Sequence, residues 1–212
     1  MSGVPEAATH AARSGRLRTF VALRPSAVAR AALSETRTVL SRRLRDGGFR
    51  ARIGWVPEER LHLTLLFLGD LGADARTLVT RAAVEAATTS RPFVWGVGAP
   101  GAFPSTARPR VLWAGVTPGA EEVAALRSRL VERLAAHGVR TDDEGTFVPH
   151  VTLGRVRGRG AVRDADPAVF APQGERPPAT TRATRVETFV SESGPIGIVH
   201  RVVGIAVLGG SE

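Results

Sequence analysis

Residues 61–69 read LHLTLLFLG and residues 147–156 read FVPHVTLGRV. Both contain the same four-residue pattern: His62-Leu63-Thr64-Leu65 in the first and His150-Val151-Thr152-Leu153 in the second. Each pattern lies in an apolar run with strand character. Residues i and i+2 of a strand share a face. His62 and Thr64 therefore point one way while Leu63 and Leu65 point the other, and the second copy repeats the arrangement. Two such pairs brought together make a pocket with two titratable imidazoles and two hydroxyls.

The rest of the chain frames these strands twice over. RTFVAL (18–23) reads as a strand. Ser26 is placed to cap a helix running to about Asp46, where Gly47-Gly48 stops it. FRARIGWV (49–56) is a second strand, broken by Pro57. The first motif strand covers 61–68, a helix follows over 73–88, and FVWGVG (93–98) is a further strand. Residues 99–109, APGAFPSTARP, read as a long turn-rich loop. VLWAGV (111–116) is a strand and 120–136 an amphipathic helix. Next come the second motif strand, 147–156, and two closing strands, 185–192 and 200–208. The motifs begin 88 residues apart, at 62 and 150, and each follows a long helix. This order predicts an α+β fold with antiparallel pairing and two related lobes. Residues 1–15 read as a flexible tail, 16–208 as a single domain of two lobes, and 157–183 as a flexible surface loop apart from one helical turn at 165–170.

Composition narrows the classes. The 212 residues suffice for a full core, and 43% are hydrophobic. Cysteine is absent, which removes disulfides and thiolate metal sites and fits a reducing, cytoplasmic setting. No apolar run approaches a membrane span. The net charge of +9 suits a polyanion such as RNA. All the basic residues are Arg, however, and the charge reflects coding composition as much as a partner.

Two imidazoles across a cleft, one neutral and one protonated, can serve as base and acid. The hydroxyls and a nearby Arg can hold an anion. This set suits in-line displacement at phosphorus, in which one group activates water and the other protonates the leaving oxygen. A metal site finds no second His, Asp or Glu at ligand spacing beside either motif, and no G-x-S-x-G is present for a serine hydrolase. An isolated His-x-Thr is most often ordinary strand sequence; two matching copies, using two of only five histidines, weigh toward function. His10 reads as a tail residue, and His137 as a partner of a helix C-terminus.

The paired motifs resemble those of the 2H phosphoesterase superfamily. FVALRPS (20–26), WVPEERLHLTLLFLGD (55–70), GAFPSTARPRVLWAGV (101–116), FVPHVTLGRVR (147–157) and VETFVSESG (186–194) resemble its RNA 2′,3′-cyclic phosphodiesterase (2′-5′ RNA ligase-like) branch. That resemblance implies a bilobal fold, with two pseudo-symmetric antiparallel sheets and outer helices around a central cleft. It implies His62 as proton donor to the leaving 3′-oxygen and His150 as the base that activates water. Thr64 and Thr152 would hold phosphate oxygens, and the product would be a 2′-phosphate. It implies no metal and no cofactor, and as partner an RNA with a 2′,3′-cyclic phosphate end, tRNA fragments included, bound by a monomer. Arg155 matches an Arg that commonly follows the motif, although strand parity points it away from Thr152 unless Gly154 bends the strand. Phe20, Phe103 and Trp113 are candidates for base stacking or for the core. His200 stands where an aromatic residue such as Tyr is usual. Other activities of the superfamily remain open: hydrolysis of small cyclic nucleotides or of ADP-ribose 1″,2″-cyclic phosphate, and 2′-5′ ligation. A non-catalytic RNA-end-binding module is the alternative of another class.

Overall fold

The computed structural model describes residues 15–141, 145–158, 165–172, 177–194 and 197–209. The expected tail, 1–15, lies outside them except for Gly15. Among the described residues the strands are β1 (Leu17–Leu23), β2 (Arg52–Trp55), β3 (Leu63–Leu71), β4 (Phe93–Pro104), β5 (Pro109–Val116), β6 (His150–Arg157), β7 (Thr180–Ala183), β8 (Arg185–Gly194) and β9 (Gly197–Val207). The helices are α1 (Ala27–Asp46), α2 (Ala73–Thr88) and α3 (Ala120–Ala136). Two 3-10 turns, Glu58–Arg60 and Pro167–Phe170, complete the order.

The strands follow one antiparallel path, β7-β4-β5-β6-β3-β1-β8-β9, with β2 added to β6. The path is a doubled one. Reading outward from the centre gives β3-β1-β8-β9 on one side and β6-β5-β4-β7 on the other, each starting with a motif strand. The halves meet at a single register pair, Leu63 with Val151. Helices α2 and α3 pack together, α2 against β8 and β9, α3 against β3 and β4, while α1 covers β4 and β7.

The helices form where period and caps agree. The Ser26 hydroxyl accepts the Ala29 N–H at 3.1 Å and caps α1. Val123, Leu126, Leu130 and Leu134 bury the inner stripe of α3. Each leucine fully removed from water in this way contributes about 2 kcal/mol of transfer free energy.

Two segments are more ordered than their composition implies. Of the loop expected over 99–109, residues 99–104 are the end of β4 and Pro109 is the start of β5, so that only 105–108 form the turn. Its prolines are accommodated at register shifts, between Val97 and Pro100 and between Phe103 and Pro104, where a missing N–H costs the ladder least. The loop expected over 157–183 contains β7, paired with β4 from Phe93↔Ala183 to Gly96↔Thr180. The helical turn expected at 165–170 is present at Pro167–Phe170, with Val169 and Phe170 buried in the core. Tertiary pairing and burial outweigh the Arg-Gly-Pro composition at these points.

Candidate active site

The core side of the seam fixes its open side. Leu63 and Val151 are 0% and 1% exposed, so their strand neighbours His62, Thr64, His150 and Thr152 turn to the opposite face. Around an antiparallel Leu63↔Val151 pair, the register sets His62 on the side of Thr152 and Thr64 on the side of His150. All four residues are half-buried. Each imidazole thus sits diagonally across the seam from its counterpart.

The two histidines are held alike. His62 Nδ1 lies 2.7 Å from the Arg60 carbonyl oxygen, and His150 Nδ1 lies 2.7 Å from that of Val148. A carbonyl only accepts, so each Nδ1 carries the proton and each Nε2 keeps its lone pair for a reactant. Aromatic rings back both groups. Phe20 stacks on His62 at 4.8 Å and on Phe189 at 5.0 Å. Phe103 sets its ring edge-on to His150 at 5.0 Å, and Trp113 lies 5.2 Å from Phe103. Phe20 is 1% exposed and therefore supports His62 from the core rather than offering a stacking surface. Phe103 and Trp113 are half-buried beside His150.

A matched irregularity follows each motif. On β3, Thr64 pairs with Ala22 but Leu66 with Val21, so Leu65 is an extra residue. On β6, Thr152 pairs with Trp113 but Gly154 with Leu112, so Leu153 is an extra residue. Such a bulge resets strand parity. Phe67, opposite Phe20, and Arg155, opposite Val111, thereby join the face of the motif residues. Phe67 is 56% exposed there, with its ring 5.6 Å from Phe20. The bend that would bring Arg155 to the Thr152 side is this bulge at Leu153, one residue before Gly154. The exposed Phe67 is not apparent from the alternation of the sequence, because the bulge that presents it leaves no residue signature.

Burial dominates the electrostatics. His62 is pushed down to about 4, first by desolvation and then by the nearby charges of His200, Arg24 and His150, against the opposing hydrogen bond to Arg60. His150 is also lowered, by burial and by Arg155, with the Val148 hydrogen bond opposing. His200 on β9 is lowered by burial, Arg60 and Arg24. Its ring meets His62 edge-on at 5.6 Å, and its Nδ1 lies 3.0 Å from the Ser191 hydroxyl. All three rings therefore favour the neutral form at pH 7. His137 caps α3 and also reaches Glu85 of α2 at 3.0 Å, away from the motif strands. Among the described residues no three His, Asp or Glu side chains converge as ligands for a metal.

The profile of the 2′-5′ RNA ligase superfamily matches residues 24–195, which include both motifs. The chain belongs to this superfamily. It is 28% identical over 192 residues to the RNA 2′,3′-cyclic phosphodiesterase of Thermotoga maritima, covering 88% of this chain and 93% of that protein. It is 35% identical over 103 residues to the Aquifex aeolicus protein of the same name, covering 49% of this chain and 55% of that one. In that match and the one to the Archaeoglobus fulgidus protein, the chain spans about half the length of the relative. A solved Thermus thermophilus protein superposes with a TM-score of 0.70 at 28% identity, over 92% of this chain and 100% of that one. Escherichia coli LigT in its apo form shares the fold at a TM-score of 0.61 and 20% identity, over 92% and 99% of the two chains. The superfamily's bilobal α+β architecture, with helices outside an antiparallel sheet, is thus present in this chain. No helix among the described residues is long and apolar enough to cross a membrane.

Proposed function

We propose that this protein hydrolyses RNA 2′,3′-cyclic phosphate ends to 2′-phosphates by two-histidine acid–base catalysis, without a metal, as a cytoplasmic monomer. The observation that carries the reading is the matched anchoring of His62 and His150, each with Nδ1 on a backbone carbonyl and Nε2 free at one shared face.

In the reaction, Nε2 of His150 removes a proton from water as its oxygen attacks phosphorus. The bond from phosphorus to O3′ breaks. His62, protonated at Nε2, gives its proton to O3′, leaving a 3′-hydroxyl and a 2′-phosphomonoester. The Thr64 and Thr152 hydroxyls donate to the non-bridging oxygens, and the Arg155 guanidinium balances charge that builds there. The cyclic phosphate itself carries a negative charge. Its arrival opposes the desolvation that holds His62 neutral, so substrate binding supplies the protonated acid. RNA phosphodiesterase names among the relatives support the substrate class.

The test is incubation of an RNA ending in a 2′,3′-cyclic phosphate with the protein in EDTA, resolving the two monophosphate products. A 2′-phosphate is expected. A 3′-phosphate would reverse the leaving group and the roles built on it, and absence of turnover would overturn the reading.

A further inference from the structure

Beside His62 lies a recess of about 300 Å³ lined by Arg24, Arg60 and His200 together with Phe189. A second recess, of about 340 Å³, shares Arg24, Glu59 and Leu61 with the first and continues past Arg30, Arg182 and Arg185. The two form one groove that starts at a motif imidazole and runs to the N-terminus of α1, where Ser26 and Ala27 line it.

The groove is cationic and its arginines are braced. Arg24 bonds the carboxylate of Glu187 and lies over the Phe189 ring, 5.0 Å from its centroid. Arg60 donates to the Ile198 carbonyl at 2.6 Å. Arg185 donates to the other oxygen of Glu187 at 3.0 Å. Glu187, with its side chain 4% exposed, is taken up by these two partners, which leaves Glu59 as the other carboxylate on the lining. Arg30 Nε is buried with no hydrogen-bond partner among the described residues. That Nε faces inward, so it is the outer face of the Arg30 guanidinium, with the exposed Arg182 and the helix N-terminus, that offers donors to an anion in a groove with a surplus of arginines.

We infer that this groove holds the sugar-phosphate backbone of the nucleotides leading up to the cyclic end, with one phosphodiester at Arg24, Arg60 and His200 and the next at Arg30 and Arg182. The inference rests on the proposed RNA substrate. It assigns the chain a length preference: an oligonucleotide fills both recesses, whereas a cyclic mononucleotide at His62 borders the first and does not reach the second. Backbone contacts of this kind read phosphate and not base, so the preference is for length rather than sequence.

The experiment compares 2′,3′-cyclic AMP with a tetranucleotide ending in a 2′,3′-cyclic phosphate, in the wild type and in the Arg30→Gln/Arg182→Gln double variant. Binding of a 5′-fluorescein-labelled tetranucleotide with a 2′-phosphate end is followed by anisotropy alongside. The wild type is expected to favour the tetranucleotide in kcat/KM by about tenfold or more, and the double variant to lose most of that ratio. Wild-type anisotropy affinity is expected to fall with salt more steeply than that of the variant, by about 0.7 in log–log slope for each phosphate that the variant no longer neutralises. Equal kcat/KM for the two substrates in the wild type, or a length ratio and salt slope unchanged in the double variant, would overturn the groove. Absence of all turnover in the wild type would instead overturn the catalytic reading, and the anisotropy arm would still decide the groove. Matched thermal melts of both proteins exclude a folding defect.

Discussion

Leu63 and Val151 form the one register pair described between β3 and β6, and both side chains are buried. This contact joins the two halves of the sheet and places each motif histidine one residue away on the open face. The geometry of the site is therefore set by two apolar core residues that never touch a reactant. A one-residue shift of either strand at this seam would turn that strand's histidine into the core.

Replacing either histidine tests the chemistry directly. His62→Ala and His150→Ala are each expected to lower kcat by roughly 10²–10⁴-fold, the range of general acid–base assistance. The double variant is expected to lose little more than either single one, since the two groups act in one step. Full activity in either single variant, in a protein with an unchanged melting curve, would remove that residue from the mechanism.

The pH profile follows from burial. Under the proposed mechanism the productive free enzyme has one imidazole protonated and one neutral. His62 is held at about 4 and His150 below its ordinary value. As pH rises above both, the acid is lost; as it falls below both, the base is lost. The maximum of kcat/KM is therefore expected below pH 6.5, with a fall of about tenfold per unit on the alkaline side. Bound substrate is anionic and raises both values, so the kcat profile should lie at higher pH than the kcat/KM profile. Coincident profiles would contradict this.

Stability should respond to the same groups. His62 takes up a proton near 6.5 when unfolded and only near about 4 when folded. Its neutral burial is fully accommodated above 6.5, and folding stability is lost as pH falls from 6.5 toward 4, by about 3 kcal/mol for this residue. Urea unfolding midpoints across that window, in the wild type and in His62→Gln, measure it. The variant is expected to show the shallower slope.

Gly101 tests the backing of His150. A Cβ there would clash with Cη2 and Cζ2 of Trp113. Gly101→Ala is expected to displace the indole, at a cost of about 1–3 kcal/mol in stability. Because Trp113 packs on Phe103 and Phe103 on His150, kcat should fall as well. A variant with unchanged melting and turnover would show that the indole moves freely.

Arg155 is tested by charge. Arg155→Gln is expected to raise the pKa of His150, since the guanidinium lowers it, and to reduce kcat/KM by roughly tenfold through loss of one charge-assisted hydrogen bond. Titration of the His150 ring by NMR reads the first effect without turnover. A downward movement, or none, would place Arg155 out of reach of the imidazole.

Much of this frame was legible in the chain. The helices at 73–88 and 120–136 were readable to the residue because apolar period, flanking glycines and length agreed. The repeated His-x-Thr-Leu marked the two central strands. What escaped was set by tertiary pairing. β4 runs through Pro100 and Pro104 because bulges absorb the missing donors, and β7 forms from an Arg-Thr stretch because β4 is there to pair with it. Arg24 and His200 lie far from His62 in sequence and reach it only through the β1 and β9 pairings. The bulge at Leu65 carries no composition signal and the one at Leu153 only the neighbouring Gly154, yet they decide whether Phe67 and Arg155 face the site.

Those two bulges have an outcome that reaches beyond geometry. A cradle with true twofold symmetry would accept a cyclic phosphate either way round and would cut either ester bond with equal ease. Here the equivalent stations after the bulges are occupied by a flat hydrocarbon ring on one side, Phe67, and a permanent cation on the other, Arg155. The duplicated scaffold thus has a polarity, and under the proposed reaction one end of the cradle suits a planar base and the other a charged oxygen.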